Sequence, residues 1–149
     1  MNERRVLVPG EAAQLPALTR FLREFWSAAG LPAAEALCFE LALEELFTNV
    51  VRHGAPGGPP PAVELSLALA GPRLTMTLAD DGPAFDPLAL PQPDVGAALE
   101  DRPVGGLGVF LVRQMMDTVS YRRAGPRNEL CLTKRVAAAA AGASGADFA

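Results

Sequence analysis

Glu45-Leu46-Phe47-Thr48-Asn49-Val50-Val51-Arg52-His53 is the stretch on which the fold turns. A carboxylate, a carboxamide and an imidazole recur every four residues. On a helix this spacing stacks them in one row on one face. The apolar positions around them, Leu37, Leu41, Leu46 and Val50, keep the helical period rather than the strand period. Pro32 suits the first turn of this helix, and Gly54 marks its end. The segment is apolar over much of its circumference, so it is expected to lie deep in the molecule. Three polar side chains kept in a row on such a helix point to a use. Glu40 and Glu44 have no carboxamide four residues later and read as solvated.

Upstream, Arg4 to Val8 alternates weakly, as a short edge strand would, and Pro9-Gly10 stops it. From Glu11 to Ala29, Leu15, Leu18, Leu22, Phe25 and Trp26 fall at helical spacing, and Gly30 fits the helix end. The apolar surface of Phe21, Phe25 and Trp26 suits either a core or a dimer face, core burial being commoner. Downstream, Ala55 to Pro61 is a proline-rich loop. Val63, Leu65, Leu67 and Leu69, then Leu74, Met76 and Leu78, alternate on either side of Gly71-Pro72. The simplest reading is a hairpin. Pro83 to Pro103 has little periodicity, and so long a loop is usually functional. Gly108 to Met116 reads as a short helix with Val109, Leu111, Val112 and Met115 apolar. Thr118–Arg122 and Leu130–Val136 read as strands joined at Gly125-Pro126. Ala137 to Ala149 reads as a disordered Ala/Gly-rich tail.

The order is strand, helix, helix, hairpin, lid-like loop, helix, hairpin. Helices and strands do not strictly alternate. An α+β fold is therefore expected, a two-layer sandwich with helices on one face of a mixed, mainly antiparallel sheet. The 149 residues suit one domain, placed at residues 1–136. A net charge of −4 argues against nucleic-acid binding. No apolar run is long enough for a membrane span or a secretory signal, so a cytoplasmic protein is expected. Cys38 and Cys131 lie among apolar neighbours and read as small core residues. A lone histidine makes a zinc site a poor reading.

Three segments could carry chemistry. Glu45 could act as a general base, and the amide oxygen of Asn49 suits Mg²⁺, which binds few protein groups plus phosphates. A solvated helix end fits these residues equally well. Asp80, at the end of an alternating strand, could accept the exocyclic amine of adenine. Gly82 would then let the base approach the backbone; an ordinary Asp-Gly turn is the competing reading. Gly105-Gly106-Leu107-Gly108 opens an apolar helix, where exposed N–H groups and the helix dipole favour phosphate, or it is a flexible linker. Leu111 stands where a dinucleotide fingerprint needs its third glycine, and the chain has no Gly-x-x-x-x-Gly-Lys-Ser/Thr run.

Taken together, the segments resemble the Bergerat-fold (GHKL) ATPases and kinases. They are most similar to the small anti-sigma factor serine kinases of the RsbW and SpoIIAB type. Glu45-x-x-x-Asn49-x-x-x-His53 matches that family's N box. Asp80-x-Gly82-x-x-Phe85-Asp86-Pro87 matches its G1 box, and Gly106-Leu107-Gly108 through Asp117 its G2 box. Asn128 to Lys134 resembles its closing strand. The resemblance spans roughly Val6 to Val136. It implies a histidine kinase-like ATPase domain using ATP and Mg²⁺. In this reading Glu45 activates a serine hydroxyl and Asn49 helps hold Mg²⁺. Asp80 binds the adenine amine, with Gly82 and Phe85 in the same motif. Gly105, Gly106, Leu107 and Gly108 meet phosphates from the lid. His53 lies near the phosphates or closes the helix end. Arg102 and Arg113 are candidates for compensating phosphate charge, and Asp117 for orienting structure. Departures are the proline-rich lid from Leu88 to Pro103, and Asn128, which stands where some relatives carry threonine near the adenine.

The resemblance implies an ATP-dependent serine-protein kinase and anti-sigma factor in a partner-switching pathway. Its partners would be a STAS-domain anti-anti-sigma protein, a sigma factor or other regulator, and a second copy of itself. Neither nucleic acid nor membrane is implied as a direct partner. The alternative is an ATP-binding module that sequesters a partner without significant kinase activity. A two-component histidine kinase would need a helical dimerisation domain with a phosphoacceptor histidine. A topoisomerase or mismatch-repair ATPase would need a transducer region.

Overall fold

Alternation along Val63-Glu64-Leu65-Ser66-Leu67 sends the three apolar side chains to one face, where they are buried. A computed structural model describes residues 2–54, 56–89 and 107–137, and it pairs this strand, β2 (Ala62–Ala70), with two others. The edge strand β1 (Asn2–Pro9) lies on one side and β3 (Arg73–Asp80) on the other. β4 (Thr118–Ala124) and β5 (Arg127–Arg135) complete a five-stranded sheet in the order β1-β2-β3-β5-β4. Every pairing is antiparallel.

The register puts Leu65 opposite Leu78, and Leu78 opposite Leu130. Those residues share the face that α1 (Leu15–Ala28), α2 (Ala33–His53) and α3 (Leu107–Met115) cover. Phe25, Phe39, Phe47 and Leu43 fill the space between helices and sheet. The α+β sandwich expected from the sequence is therefore the observed one. Among the described residues, no helix is long and apolar enough to cross a membrane.

Boundaries shift for local reasons. β1 runs longer than Arg4–Val8 and includes Pro9, which an edge strand tolerates at its end because no ladder N–H is required there. α1 starts at Leu15, not Glu11: Pro16 fits only the first turn, so Ala12–Gln14 forms a 3₁₀ turn instead. Gly30 takes φ 71°. The N–H groups of Gly30 and Leu31 then bond the carbonyls of Ser27 and Trp26, closing the helix. β4 and β5 both extend to a two-residue turn, with Ala124 opposite Arg127, so Asn128 is a strand residue facing Asp80.

Burial corrects two expectations. Leu37 and Leu41 are 58% and 47% exposed, and Leu111 is 50% exposed. α2 and α3 cover one side of a single sheet, so each needs only one buried stripe. Phe25 and Trp26 belong to the core, and the Trp26 indole N–H donates to the Pro32 carbonyl at 2.7 Å. Glu40 is not simply solvated, because Arg23 holds it in an ion pair at 2.8 Å. Glu44 is exposed as expected. Cys38 and Cys131 are half-buried free thiols. Of the expected lid at 88–103 and tail at 137–149, residues 90–103 and 138–149 lie outside the described residues.

Candidate active site

The last two turns of α2 pass over the ends of β3 and β5, and a cleft opens between them. Its walls are Leu46, Val50, Leu78, Leu130 and Pro87. Asn49, His53, Asp80 and Asn128 supply polar groups. The free space is about 400 Å³ when counted out into the open mouth. An apolar slot with a few convergent polar atoms suits a flat heteroaromatic ring.

The row on α2 is as the spacing requires. Glu45 is half-buried, and its carboxyl group lies against the Cα of Gly108 at the start of α3. One turn on, Asn49 is only 3% exposed. Among the described residues its Nδ2 has no hydrogen-bond partner, and its Oδ1 receives only a long 3.5 Å contact from Arg52. A buried orphan amide is unusual and calls for an explanation. Another turn on, the exposed His53 ring stacks on Phe85, with centroids 4.0 Å apart and planes at 18°.

At the floor, strand alternation separates two adjacent aspartates. Asp80 points to the helix side and is buried. Asp81 turns away and accepts the Ala62 N–H at 2.8 Å. Asp80 Oδ1 accepts from the Gly82 N–H at 2.9 Å and from Asn128 Nδ2 at 3.0 Å. Among the described residues no donor reaches Oδ2, which leaves it for a ligand. The Gly82 carbonyl accepts from Arg123 at 2.8 Å, and the Phe85 N–H donates to Asn128 Oδ1 at 3.2 Å. The loop after β3 is thereby pinned to β4 and β5.

The structure thus brings Asn49, His53, Asp80, Phe85 and Asn128 into the lining of one cleft, with Gly82 hydrogen-bonded to Asp80 and with Glu45, one turn before Asn49 on α2, against Gly108. The backbone of Leu107 begins α3 beside them. Arg102, Gly105 and Gly106 lie outside the described residues. Arg113 donates to the Leu88 carbonyl at 3.4 Å. Asp117 orients structure, accepting the Arg135 N–H at 2.6 Å. Among the described residues no cluster of three histidine, cysteine or acidic side chains could hold a metal by itself. Sequence reading missed Tyr121, which donates to Asn128 Oδ1 at 2.6 Å, and Arg123. The signal was the cross-strand register, which puts Arg123 opposite Asn128 and Tyr121 opposite Leu130. A single strand does not display that.

Residues 8–134 match the family model of the histidine kinase-like ATPase domain. The chain is 35% identical over 118 residues to the serine/threonine-protein kinase BtrW of Bordetella bronchiseptica, a match covering 78% of each chain. It is 31% identical over 84 residues to the serine-protein kinase RsbW of Listeria monocytogenes, covering 54% of each. Its fold resembles the crystal structure of the RsbU and RsbW domains of a Mycobacterium tuberculosis protein. The TM-score is 0.65 at 15% identity, over 91% of this chain and 33% of that one. The cleft without a P-loop, the N-box row and these relatives agree: the chain belongs to the histidine kinase-like ATPase domain family, among the serine kinases of the RsbW type.

Proposed function

We propose that this chain is an ATP-dependent protein serine kinase and anti-sigma factor in a partner-switching pathway. Its substrate is a serine of a STAS-domain anti-anti-sigma protein, and its other partner is a sigma factor or similar regulator. The observation that carries this reading is the pairing of Glu45 with Asn49, one helical turn apart on α2, where Asn49 lines the cleft and its Nδ2 has no partner among the described residues. A nucleotide-binding switch needs Asn49 and Asp80. Phosphoryl transfer needs the carboxylate as well, as the base for the attacking hydroxyl.

Each residue then has a task. Asp80 Oδ2 accepts the adenine 6-amino group, while Leu46, Val50, Leu78 and Leu130 enclose the ring. Asn49 fits Mg²⁺·phosphate, because one end of its buried amide has no partner among the described residues. Turned one way it offers N–H to a phosphate oxygen; turned the other way it offers its oxygen to the metal. Bound Mg²⁺ would neutralise phosphate charge, the usual main contribution of a metal to phosphoryl transfer. The start of α3, where Gly108 lies against Glu45, supports this reading, since N–H groups at a helix N-terminus would favour the phosphates. Glu45 takes the proton from the incoming serine hydroxyl as its oxygen bonds the γ-phosphorus and ADP leaves.

The test is incubation with Mg·ATP and a STAS-domain protein encoded beside this chain, read by intact mass and phosphosite mapping. One phosphoserine on the STAS protein is expected. Tight ATP binding with no phosphoserine would instead make the chain a sequestering module.

A further inference from the structure

Asn128 makes as many hydrogen bonds as an amide can. Its Nδ2 donates to Asp80 Oδ1 at 3.0 Å and to the Pro83 carbonyl at 2.8 Å. Its Oδ1 accepts from the Tyr121 hydroxyl at 2.6 Å and from the Phe85 N–H at 3.2 Å. An amide has two donor hydrogens and two acceptor lone pairs, so none is left over. The orientation is also determined. Asp80 and Pro83 offer only acceptors and the Phe85 N–H is only a donor, so a reversed amide would face like against like at each. Asn128 therefore has nothing left to offer a nucleotide, although it lines the cleft.

We infer that Asn128 and Tyr121 are positioning residues for base recognition, acting through Asp80 rather than by touching the base. Tyr121 reaches Asn128 because β4 pairs with β5 in a register that sends both side chains to the helix face. Its hydroxyl supplies the shorter of the two bonds on Oδ1 and anchors the amide. The amide, with the Gly82 N–H, occupies Asp80 Oδ1. The carboxylate can then neither rotate nor share its second oxygen, and Oδ2 stays directed at the ligand as a bare acceptor. Such an acceptor takes a purine 6-amino group and repels a 6-oxo group. With both Asn128 hydrogens used, no donor can swing round to rescue the 6-oxo base.

This inference rests on the nucleotide reading of the cleft, and the test separates the two. ATP and the purine riboside triphosphate lacking the 6-amino group are titrated by calorimetry into wild type, Tyr121→Phe and Asn128→Asp. Wild type is expected to prefer ATP. Tyr121→Phe should weaken ATP by about 5-fold, the ordinary worth of one hydrogen bond, while leaving the 6-deamino analogue unchanged. Asn128→Asp, which sets an acceptor against Asp80, should abolish the preference. Equal losses for both ligands, or none for either, would overturn the inference by showing a merely structural role. If wild type binds neither nucleotide, the nucleotide reading itself fails. If it binds both equally, only the positioning role does.

Discussion

The Glu45 carboxyl group occupies the space where a side chain on Gly108 would begin. A Cβ built on Gly108 would lie 2.6 Å from Glu45 Cγ and closer still to the carboxyl itself. Glycine at this point of α3 is thus a condition for the carboxylate's position, whatever else its N–H does. Gly108→Ala should leave the melting temperature nearly unchanged, because the far end of a flexible side chain can move aside. Phosphoryl transfer should fall by about 100-fold, the penalty that a displacement near 1 Å can impose. Parallel measurement of thermal unfolding and turnover checks this. A melting temperature lost in proportion to turnover would contradict it.

Asn49 trades stability for binding. A buried donor without a partner costs about 1–3 kcal/mol, and Asn49 Nδ2 has none among the described residues. Asn49→Leu, of similar volume, should therefore raise the unfolding free energy by about 1 kcal/mol. It should also lower Mg·ATP affinity at least about 10-fold, as loss of a charge-assisted contact of 1.5–3 kcal/mol implies. Denaturant unfolding and nucleotide titration on one sample test both halves.

The helical row, the alternating hairpin and the fold class were legible because each repeats with the period of its own element. The row of Glu45, Asn49 and His53 needs only a helix to be brought together. Tyr121 and Arg123 were not legible, since their role depends on which residue of β5 stands opposite them. The exposure of Leu37 and Leu41 was hidden for a related reason: an apolar helix reveals its period but not how many layers will cover it. Gly108 looked like a phosphate contact alone, because nothing in a sequence shows that Glu45 fills the place of its missing side chain.

His53 and Phe85 form a wall of the cleft by stacking at 4.0 Å. Such a pair contributes about 0.5–1.5 kcal/mol. His53→Ala should therefore speed amide exchange at Phe85 and Leu88 by roughly 3- to 10-fold, without reaching the strands below. Hydrogen exchange read residue by residue distinguishes this local loosening from a global loss of stability.

Arg23 donates two hydrogen bonds to Glu40, at 2.8 and 3.0 Å. Those bonds, outweighing partial burial and aided by the charge, hold the Glu40 carboxyl below its ordinary range. A carboxyl depressed in the folded state contributes stability above its unfolded value, near 4.3. That contribution is lost as pH falls through the lower folded value. Arg23→Gln should therefore destabilise the protein at pH 7 and make progressively less difference as the pH drops below about 4. Urea midpoints of both proteins across this range check the sign.

Glu45 as the base of a serine kinase is tested most directly by Glu45→Gln, which keeps shape and volume and removes only basicity. Phosphoserine formation on the STAS-domain partner is followed by mass spectrometry at saturating Mg·ATP, with ATP affinity measured alongside. The expected result is a rate lower by about 10²- to 10⁴-fold, the usual worth of a positioned base, with ATP affinity essentially unchanged. A Glu45→Gln protein that phosphorylates its partner at the wild-type rate would contradict the assignment.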